Sequence, residues 1–177
     1  MQNQKVLFMT QAAMIAAVYV VLTFIANAFG IADKAIQVRF SEALTVLPFF
    51  MPAAVPGVTI GCLLANFLTG AHWLDIVFGS LATFIGAVFT YWIGIKARTI
   101  KQNGQSKAER LKWLAPLPPV VANAVIIPFV LLYAYGITEL WFSFVFVTIG
   151  QLISCGILGM GLLLALEKRN LSFIKEN

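Results

Sequence analysis

An amide, a guanidinium and a carboxylate lie within the six residues Gln37–Glu42, at the start of a long apolar run. Gln37 and Arg39 are two positions apart, so on an extended segment their side chains point to the same side. Ser41 is suited to cap a helix whose first residue is Glu42, and the positive end of the helix dipole favours a carboxylate there. These groups either form an Arg39–Glu42 ion pair at a turn or bind a ligand. The residue types alone leave both alternatives open.

Other polar side chains interrupt the apolar runs further along the chain. Asn66, Asn123 and Gln151 fall inside predicted membrane spans, where an amide seeks a partner because lipid offers none. Either another helix satisfies each amide, or the amides join polar residues near one membrane face to line a cup. The residues that we predict to bind a ligand in this cup are Gln37, Arg39, Glu42, Asn66, Trp73, Asp75, Asn123 and Glu139.

Aromatic residues at the same face have two interpretations. Trp73 is close to Asp75 in the sequence and is predicted to be a stacking platform for a flat ring, whereas Trp141 is predicted to lie in the interfacial aromatic belt. His72 is the only histidine. A lone histidine beside a tryptophan is more often an interfacial residue than a catalyst or a ligand.

The composition indicates the class of protein. The 177 residues are 60% hydrophobic and 11% charged, with a mean hydropathy of +0.91. Helices of about 20 apolar residues span a bilayer because they satisfy their own backbone there. The sequence therefore predicts an all-α integral membrane protein with six transmembrane helices in a single domain, residues 1–177. Cys62 and Cys155 both lie in apolar runs and indicate neither a disulfide framework nor a metal site.

The second and third spans are predicted to be irregular. The apolar region from Ala43 to Ala71 contains three prolines between positions 48 and 56, and proline disrupts helix interiors. We therefore predict two short helices that meet near positions 52–57, an arrangement by which transporters often present polar groups to a substrate. The other spans are predicted at about 7–29, 76–95, 117–135 and 140–166.

Positive charge is concentrated on one side of this predicted topology. If the N-terminus is cytoplasmic, ten of the twelve Lys and Arg residues lie inside, several of them in the polar loop 96–113, and only Lys34 and Arg39 lie outside. This distribution follows the positive-inside rule. It predicts that both termini are cytoplasmic, and it argues against a nucleic-acid partner as the reason for the net charge of +5.

Four alanines in the first span form two overlapping pairs with small-x-x-x-small spacing on adjacent faces. They are Ala12, Ala13, Ala16 and Ala17. Small residues four positions apart let another helix approach closely in lipid. The spacing alone favours packing against the protein's own helices over a surface for a partner.

The sequence contains no motif for energy conversion or metal chemistry. It has no phosphate-binding loop of the G-x-x-x-x-G-K-[ST] type, no H-E-x-x-H motif and no cysteine cluster. We therefore expect no enzymatic activity and no cofactor. Energy for uphill transport must then come from a partner or from a coupled ion.

Three motifs resemble a known family. Residues 37–48 (QVRFSEALTVLP), 61–66 (GCLLAN) and 75–83 (DIVFGSLAT) resemble the QueT family of queuosine-precursor transporters, and the likeness covers nearly the whole chain, including the six-span layout. Members of this family are substrate-binding S components of energy-coupling-factor importers. The resemblance implies that a 7-deazaguanine such as preQ0 or preQ1 is captured outside the cell. A coupling module of one transmembrane protein and two cytoplasmic ATPases would then drive release inside.

The resemblance also implies roles for individual residues. A guanine-like edge offers two parallel N–H donors that one carboxylate accepts together, and Glu42 is the first candidate. The ring carbonyl requires a donor such as Arg39, Gln37 or an asparagine amide. The aminomethyl cation of preQ1 requires a second acid, for which Asp75 is the first candidate and Glu139 the reserve. The four alanines of the first helix are implied to face the coupling protein.

Two other classes of function are alternatives. A stand-alone secondary carrier for a purine-like or other small vitamin-like molecule would show coupled uptake without any ATPase. A membrane enzyme that uses Glu42, His72 and Asp75 as acid and base would turn over a substrate as purified protein.

Overall fold

The computed structural model describes residues 2–30, 38–102 and 108–168, and its regular elements are all helical. Six elements run along the bundle, and we label them in chain order. They are α1 (Gln2–Ala28), α2 (Phe40–Phe49), α3 (Ala54–Leu68), α4 (Trp73–Gln102), α5 (Leu117–Tyr135) and α6 (Leu140–Lys168). A short helix, Ala108–Leu111, and the turn Lys112–Leu114 lead into α5.

Four of the six helices, α1, α4, α5 and α6, are long and apolar enough to cross a membrane. The helices α2 and α3 contain 10 and 15 residues. At their rise per residue both are about 20 Å long, less than the roughly 30 Å of a bilayer core. The prediction of two short helices around the prolines is confirmed. Of the six predicted membrane helices, the other four are long and apolar enough to span a bilayer.

The short helix α2 forms the centre of the bundle. It is wound as a 3₁₀ helix and packs against α1, α4 and the middle of α6. Its buried residues are Ser41, Glu42, Ala43, Leu44, Thr45, Val46 and Pro48. A 3₁₀ helix of this length is uncommon. The helix begins at Phe40, so the predicted Ser41 cap is wrong: Ser41 lies inside the helix, and its hydroxyl accepts a hydrogen bond of 2.9 Å from Thr23.

Helices α1 and α3 approach closely through small residues. A Cβ atom added at Gly57 would lie 3.0 Å from the backbone oxygen of Ala12, and one added at Gly61 would lie 3.1 Å from Cα of Ala16. Two stripes of small residues therefore face each other, as is common between helices in lipid. Ala12 and Ala16 serve internal packing, and the implication that they face a partner is corrected here. Their neighbours Ala13 and Ala17 are exposed on the outer side of α1.

The two ends of the bundle differ in charge. Helices α2 and α4 finish at one end of the bundle, which we call the basic end. Seven of the eight Lys and Arg residues within the described ranges lie near this end. The exception is Arg39, at the start of α2. It lies at the opposite end, where α1, α3 and α5 finish, and we call this the cavity end.

Helix α6 changes its winding in the middle. Residues Leu152–Gly159 form a π-helical segment between two α-helical parts. This segment places the Ser154 hydroxyl 3.1 Å from the backbone nitrogen of Arg39, and Sγ of Cys155 3.4 Å from Oγ1 of Thr45. π-helical insertions are frequent at functional sites, and this one brings α6 into contact with the first half of α2.

Candidate functional site

A cavity of about 410 Å³ opens at the cavity end of the bundle. We call it the outer cavity. Its polar lining comes from the last turns of α1, the start of α2, the turn between α3 and α4, and the end of α5; the residues used below are Thr23, Asn27, Arg39, Asn66, Asp75 and Tyr135. The volume falls in the usual range for sites that bind small molecules.

Three side chains form a polar network at the base of the outer cavity. Nη1 of Arg39 donates to Oδ1 of Asn66 at 3.3 Å, and Nη2 of Arg39 lies 3.7 Å from Oδ2 of Asp75. Nδ2 of Asn66 donates to the backbone oxygen of Asp75 at 3.4 Å. The two contacts of Arg39 are longer than the 2.7 to 2.9 Å of a strong charge-assisted hydrogen bond, and the third is longer than the usual 2.7 to 3.2 Å of a neutral N–H···O bond, so this network is held loosely.

Gly79 makes room for this network. A Cβ atom at Gly79 would lie 3.1 Å from Oδ1 of Asp75 and 3.2 Å from Nδ2 of Asn66. Such contacts are tighter than ordinary van der Waals packing. A larger residue at this position would therefore push the amide and the carboxylate away from Arg39.

A second and much smaller cavity of about 20 Å³ lies deeper in the bundle, and we call it the inner cavity. Its polar lining consists of Arg39, Glu42, Asn123 and Gln151, with the Cys62 thiol beside them. The space is enough for about one water molecule. Arg39 lines both cavities, so its side chain separates them.

Glu42 is the most unusual residue of the site. It is only 2% exposed, and Oε1 accepts a 2.5 Å hydrogen bond from the Tyr19 hydroxyl. Oε2 is buried and has no hydrogen-bond partner within the part of the chain that the structure describes. An unsatisfied buried acceptor costs about 1 to 3 kcal/mol. Glu42 therefore holds a hydrogen-bonding capacity that the described part of the chain does not use.

The structure brings together five of the residues predicted from the sequence, Arg39, Glu42, Asn66, Asp75 and Asn123, which line the two cavities. The alternative of an Arg39–Glu42 ion pair is wrong, because Arg39 pairs with Asp75 and Glu42 bonds to Tyr19. Gln37 lies outside the described residues.

Trp73 and Glu139 lie outside both cavities, which corrects their predicted role. Trp73 is 62% exposed. Trp73 and Asp75 are two positions apart on one helix, and residues at that spacing face different sides, so the inward orientation of Asp75 turns Trp73 outward. Glu139 precedes α6 and is exposed. Asp75 is therefore the acid at the outer cavity.

His72 and Trp141 play no part in the two cavities. Nδ1 of His72 accepts a hydrogen bond of 3.3 Å from the backbone nitrogen of Leu74, and Trp141 is 72% exposed. The proposed enzymatic grouping of Glu42, His72 and Asp75 is therefore not assembled. Over the described ranges no cluster of three or more His, Cys, Asp or Glu residues is suited to a metal ion.

Sequence reasoning missed the contribution of α1 to the site. Tyr19 bonds to Glu42, while Thr23 and Asn27 line the outer cavity. The three positions are four residues apart, so they form one polar stripe on an otherwise apolar helix. That periodicity was available in the sequence. Gln151 stood out as an amide within a span, but only its place in the inner cavity marks it as a site residue.

Two comparisons of the sequence with known proteins give matches. A family model described as "QueT transporter" matches residues 9–168. A curated relative, the queuosine precursor transporter QueT of Lactococcus lactis subsp. cremoris (strain MG1363), is 36% identical over 85 residues, which is 48% of this chain. The match spans about half the length of that relative. No solved structure matches the chain. With four helices able to cross a bilayer, the chain is a multi-pass protein of the plasma membrane, and it belongs to the QueT transporter family.

Proposed function

We propose that this protein is the substrate-binding subunit of an energy-coupling-factor importer for queuosine precursors, 7-deazaguanines such as preQ0 and preQ1. The observation that carries the proposal is the buried Oε2 of Glu42, which has no partner among the described residues and lies beneath a cavity of ligand size. A carboxylate oxygen in that position is stabilised by a ligand that brings N–H donors. The name of the relative agrees with such a ligand.

The chemistry of a 7-deazaguanine suits the two acids of the site. Its ring N–H and amino group are parallel donors for Glu42, and the aminomethyl cation of preQ1 is a counterion for Asp75. Because Asp75 already pairs with Arg39, the incoming cation replaces the guanidinium. A bidentate pair supplies about 1 to 3 kcal/mol, whereas micromolar binding requires about 8. Further contacts with the amides of the site are therefore required.

The direction of transport follows from the distribution of charge. The basic end is expected in the cytoplasm, so the cavity end faces outward and receives substrate from outside. Because the sequence carries no phosphate-binding loop, we assign ATP hydrolysis to partner subunits. The exposed Ala13 and Ala17 on α1 offer a smooth face on which a transmembrane coupling protein packs closely.

Replacement of Glu42 tests the binding site. In Glu42→Gln one carboxylate oxygen becomes an amide donor that opposes the donors of the ligand, so we expect the affinity for preQ1 to fall at least about tenfold, or 1.4 kcal/mol. The measurement is equilibrium binding to the purified protein in lipid nanodiscs. Glu139→Gln is the matched control, because it removes an exposed acid outside the cavities, and its affinity should stay at the wild-type level. Equal affinities for Glu42→Gln and wild type would show that Glu42 is not the main contact of the ligand.

Replacement of Ala17 tests the partner. Ala17→Trp places a large side chain on the outer face of α1, so co-purification with the coupling module should be lost while preQ1 binding persists. Val125→Trp is the matched control, because it enlarges a side chain that is 53% exposed on α5, a helix away from the Ala13 and Ala17 face, and it should keep most of the complex. A self-sufficient carrier would instead transport preQ1 in vesicles without any ATPase, and Ala17→Trp would leave that uptake unchanged.

A further inference from the structure

The inner cavity presents a defined pattern of hydrogen-bonding atoms from three helices. Oε2 of Glu42, on α2, is an acceptor without a partner among residues 2–30, 38–102 and 108–168. Nδ2 of Asn123, on α5, donates to the backbone oxygen of Pro119 at 3.0 Å. That bond identifies the amide nitrogen and leaves Oδ1 of Asn123 as a second acceptor.

Gln151 completes the pattern from α6. Its Oε1 lies 3.1 Å from Sγ of Cys155, which is the shortest contact of that thiol with an oxygen atom among the described residues. The amide oxygen of Gln151 therefore accepts a hydrogen bond from the Cys155 thiol, and Nε2 of Gln151 is left as a donor for a ligand. Gln151 is only 8% exposed, and it lines the inner cavity together with Glu42 and Asn123.

We infer that the inner cavity recognises the hydrogen-bonding edge of a guanine-type ring, with Asn123 and Gln151 as specificity-determining residues. This inference rests on the proposed function and deepens it. Glu42 accepts from the ring N–H and the amino group, Asn123 Oδ1 accepts the second amino hydrogen, and Gln151 Nε2 donates to the ring carbonyl. The order of acceptor, acceptor and donor matches the amino, imino and carbonyl groups of that edge.

Arg39 controls the entry of the ring edge into this cavity. The inner cavity holds about 20 Å³ and admits no ring as it stands, whereas the outer cavity of about 410 Å³ is large enough for one. Arg39 lines both cavities and is held by contacts of 3.3 and 3.7 Å. When its guanidinium leaves Asp75, the two cavities join. Ile127 and Val147, which also line the inner cavity, then contact the faces of the ring.

The inference predicts a preference between two probes of the same size. In 2,6-diamino-7-deazapurine the carbonyl of 7-deazaguanine is replaced by an amino group, and the adjacent ring nitrogen has no hydrogen. That amino group would face the Gln151 amide with donor against donor, and Glu42 would lose one N–H. A buried site built to pair one set of groups rejects a ligand that leaves them unpaired. The wild-type protein should therefore bind 7-deazaguanine about 100-fold tighter or more.

The decisive experiment measures both probes on Gln151→Met. Methionine has a similar volume but no donor, so the affinity for 7-deazaguanine should fall roughly tenfold or more. In the diamino probe an amino group opposes the Gln151 amide, so Gln151→Met removes this repulsive contact together with any favourable one. The affinity for the diamino probe should therefore change less than about threefold. Gln11→Met is the matched control, since Gln11 lies on α1 outside both cavities. It should leave both affinities at the wild-type level.

A second variant covers the case in which Gln151→Met does not fold. Asn123→Leu removes the proposed acceptor of the amino group, so binding of 7-deazaguanine should weaken while binding of 7-deazahypoxanthine, which has no amino group, should not. The inference would be overturned if either variant lost the same affinity for both of its probes, or lost no affinity for 7-deazaguanine. A wild-type protein that binds 7-deazaguanine and the diamino probe equally would also overturn it, although the proposed function would stand. A wild-type protein that binds no 7-deazapurine would overturn the proposed function itself.

Discussion

The two ends of the bundle satisfy their polar groups in opposite ways. At the basic end, Arg98 donates to the backbone oxygens of Phe49 and Phe50 at 2.7 and 3.3 Å, and Lys112 pairs with Glu167 at 2.9 Å. At the cavity end, Arg39 and Asp75 are 3.7 Å apart, and one oxygen of Glu42 has no partner among the described residues.

Packing shows the same difference. Gly94 on α4 approaches the end of α2 so closely that an added Cβ atom would clash with the backbone oxygen of Phe49. At the other end, the start of α2 borders a cavity of about 410 Å³. Helix α2 is therefore fixed by its last residues and bordered by open space at its first. We interpret the tight end as structural and the loose end as the place where a ligand supplies the missing contacts.

The largest effect is expected from a change that disrupts the tight end. In Gly94→Ala the new methyl group meets the backbone of α2, which has no flexible side chain to move aside. Overpacking of this kind costs about 1 to 3 kcal/mol or more, so the thermal transition in detergent should fall by several degrees. Gly161→Ala is the matched control, because nothing lies within 4 Å of its added Cβ. If Gly94→Ala were as stable as wild type, the α2–α4 contact would not be the rigid anchor described here.

A smaller and selective effect is expected at the loose end. In Asp75→Asn the shape of the side chain is kept and its charge is lost. The affinity for preQ1, which carries an aminomethyl cation, should fall about tenfold relative to that for preQ0, which carries a nitrile there. Tenfold corresponds to about 1.4 kcal/mol. Titration of both ligands against the same preparation gives this ratio. An equal loss for both ligands would indicate that Asp75 acts only through Arg39.

The sequence predicts much of the fold because the signals are local. Helix α5 occupies the predicted residues Leu117–Tyr135. Its entry is rich in proline, and it ends at Gly136, whose φ of 67° is a left-handed conformation that glycine adopts without strain. Helix α4 continues seven residues beyond the predicted Ile95, to Gln102. Hydropathy does not detect this extension, because it carries the charged residues Lys96, Arg98 and Lys101.

The partners within the site are tertiary and therefore less predictable. Spacing along the chain left an Arg39–Glu42 pair open as one alternative, whereas the folded protein pairs Arg39 with Asp75 from another helix. The outward orientation of Trp73 follows from the helical period and the inward orientation of Asp75, so it could have been predicted from the sequence. The place of Gln151 beside Glu42 depends on the packing of α6 against α2, which no local pattern in the sequence encodes.

The central claim is that the unpartnered oxygen of Glu42 receives the ligand. The most direct measurement is a structure of the protein with bound preQ1. We predict a ligand nitrogen within about 3 Å of Glu42 Oε2, the distance of a hydrogen bond, with the Arg39 guanidinium moved away from Asp75. A ligand confined to the outer cavity, above an intact Arg39–Asp75 pair, would contradict the account.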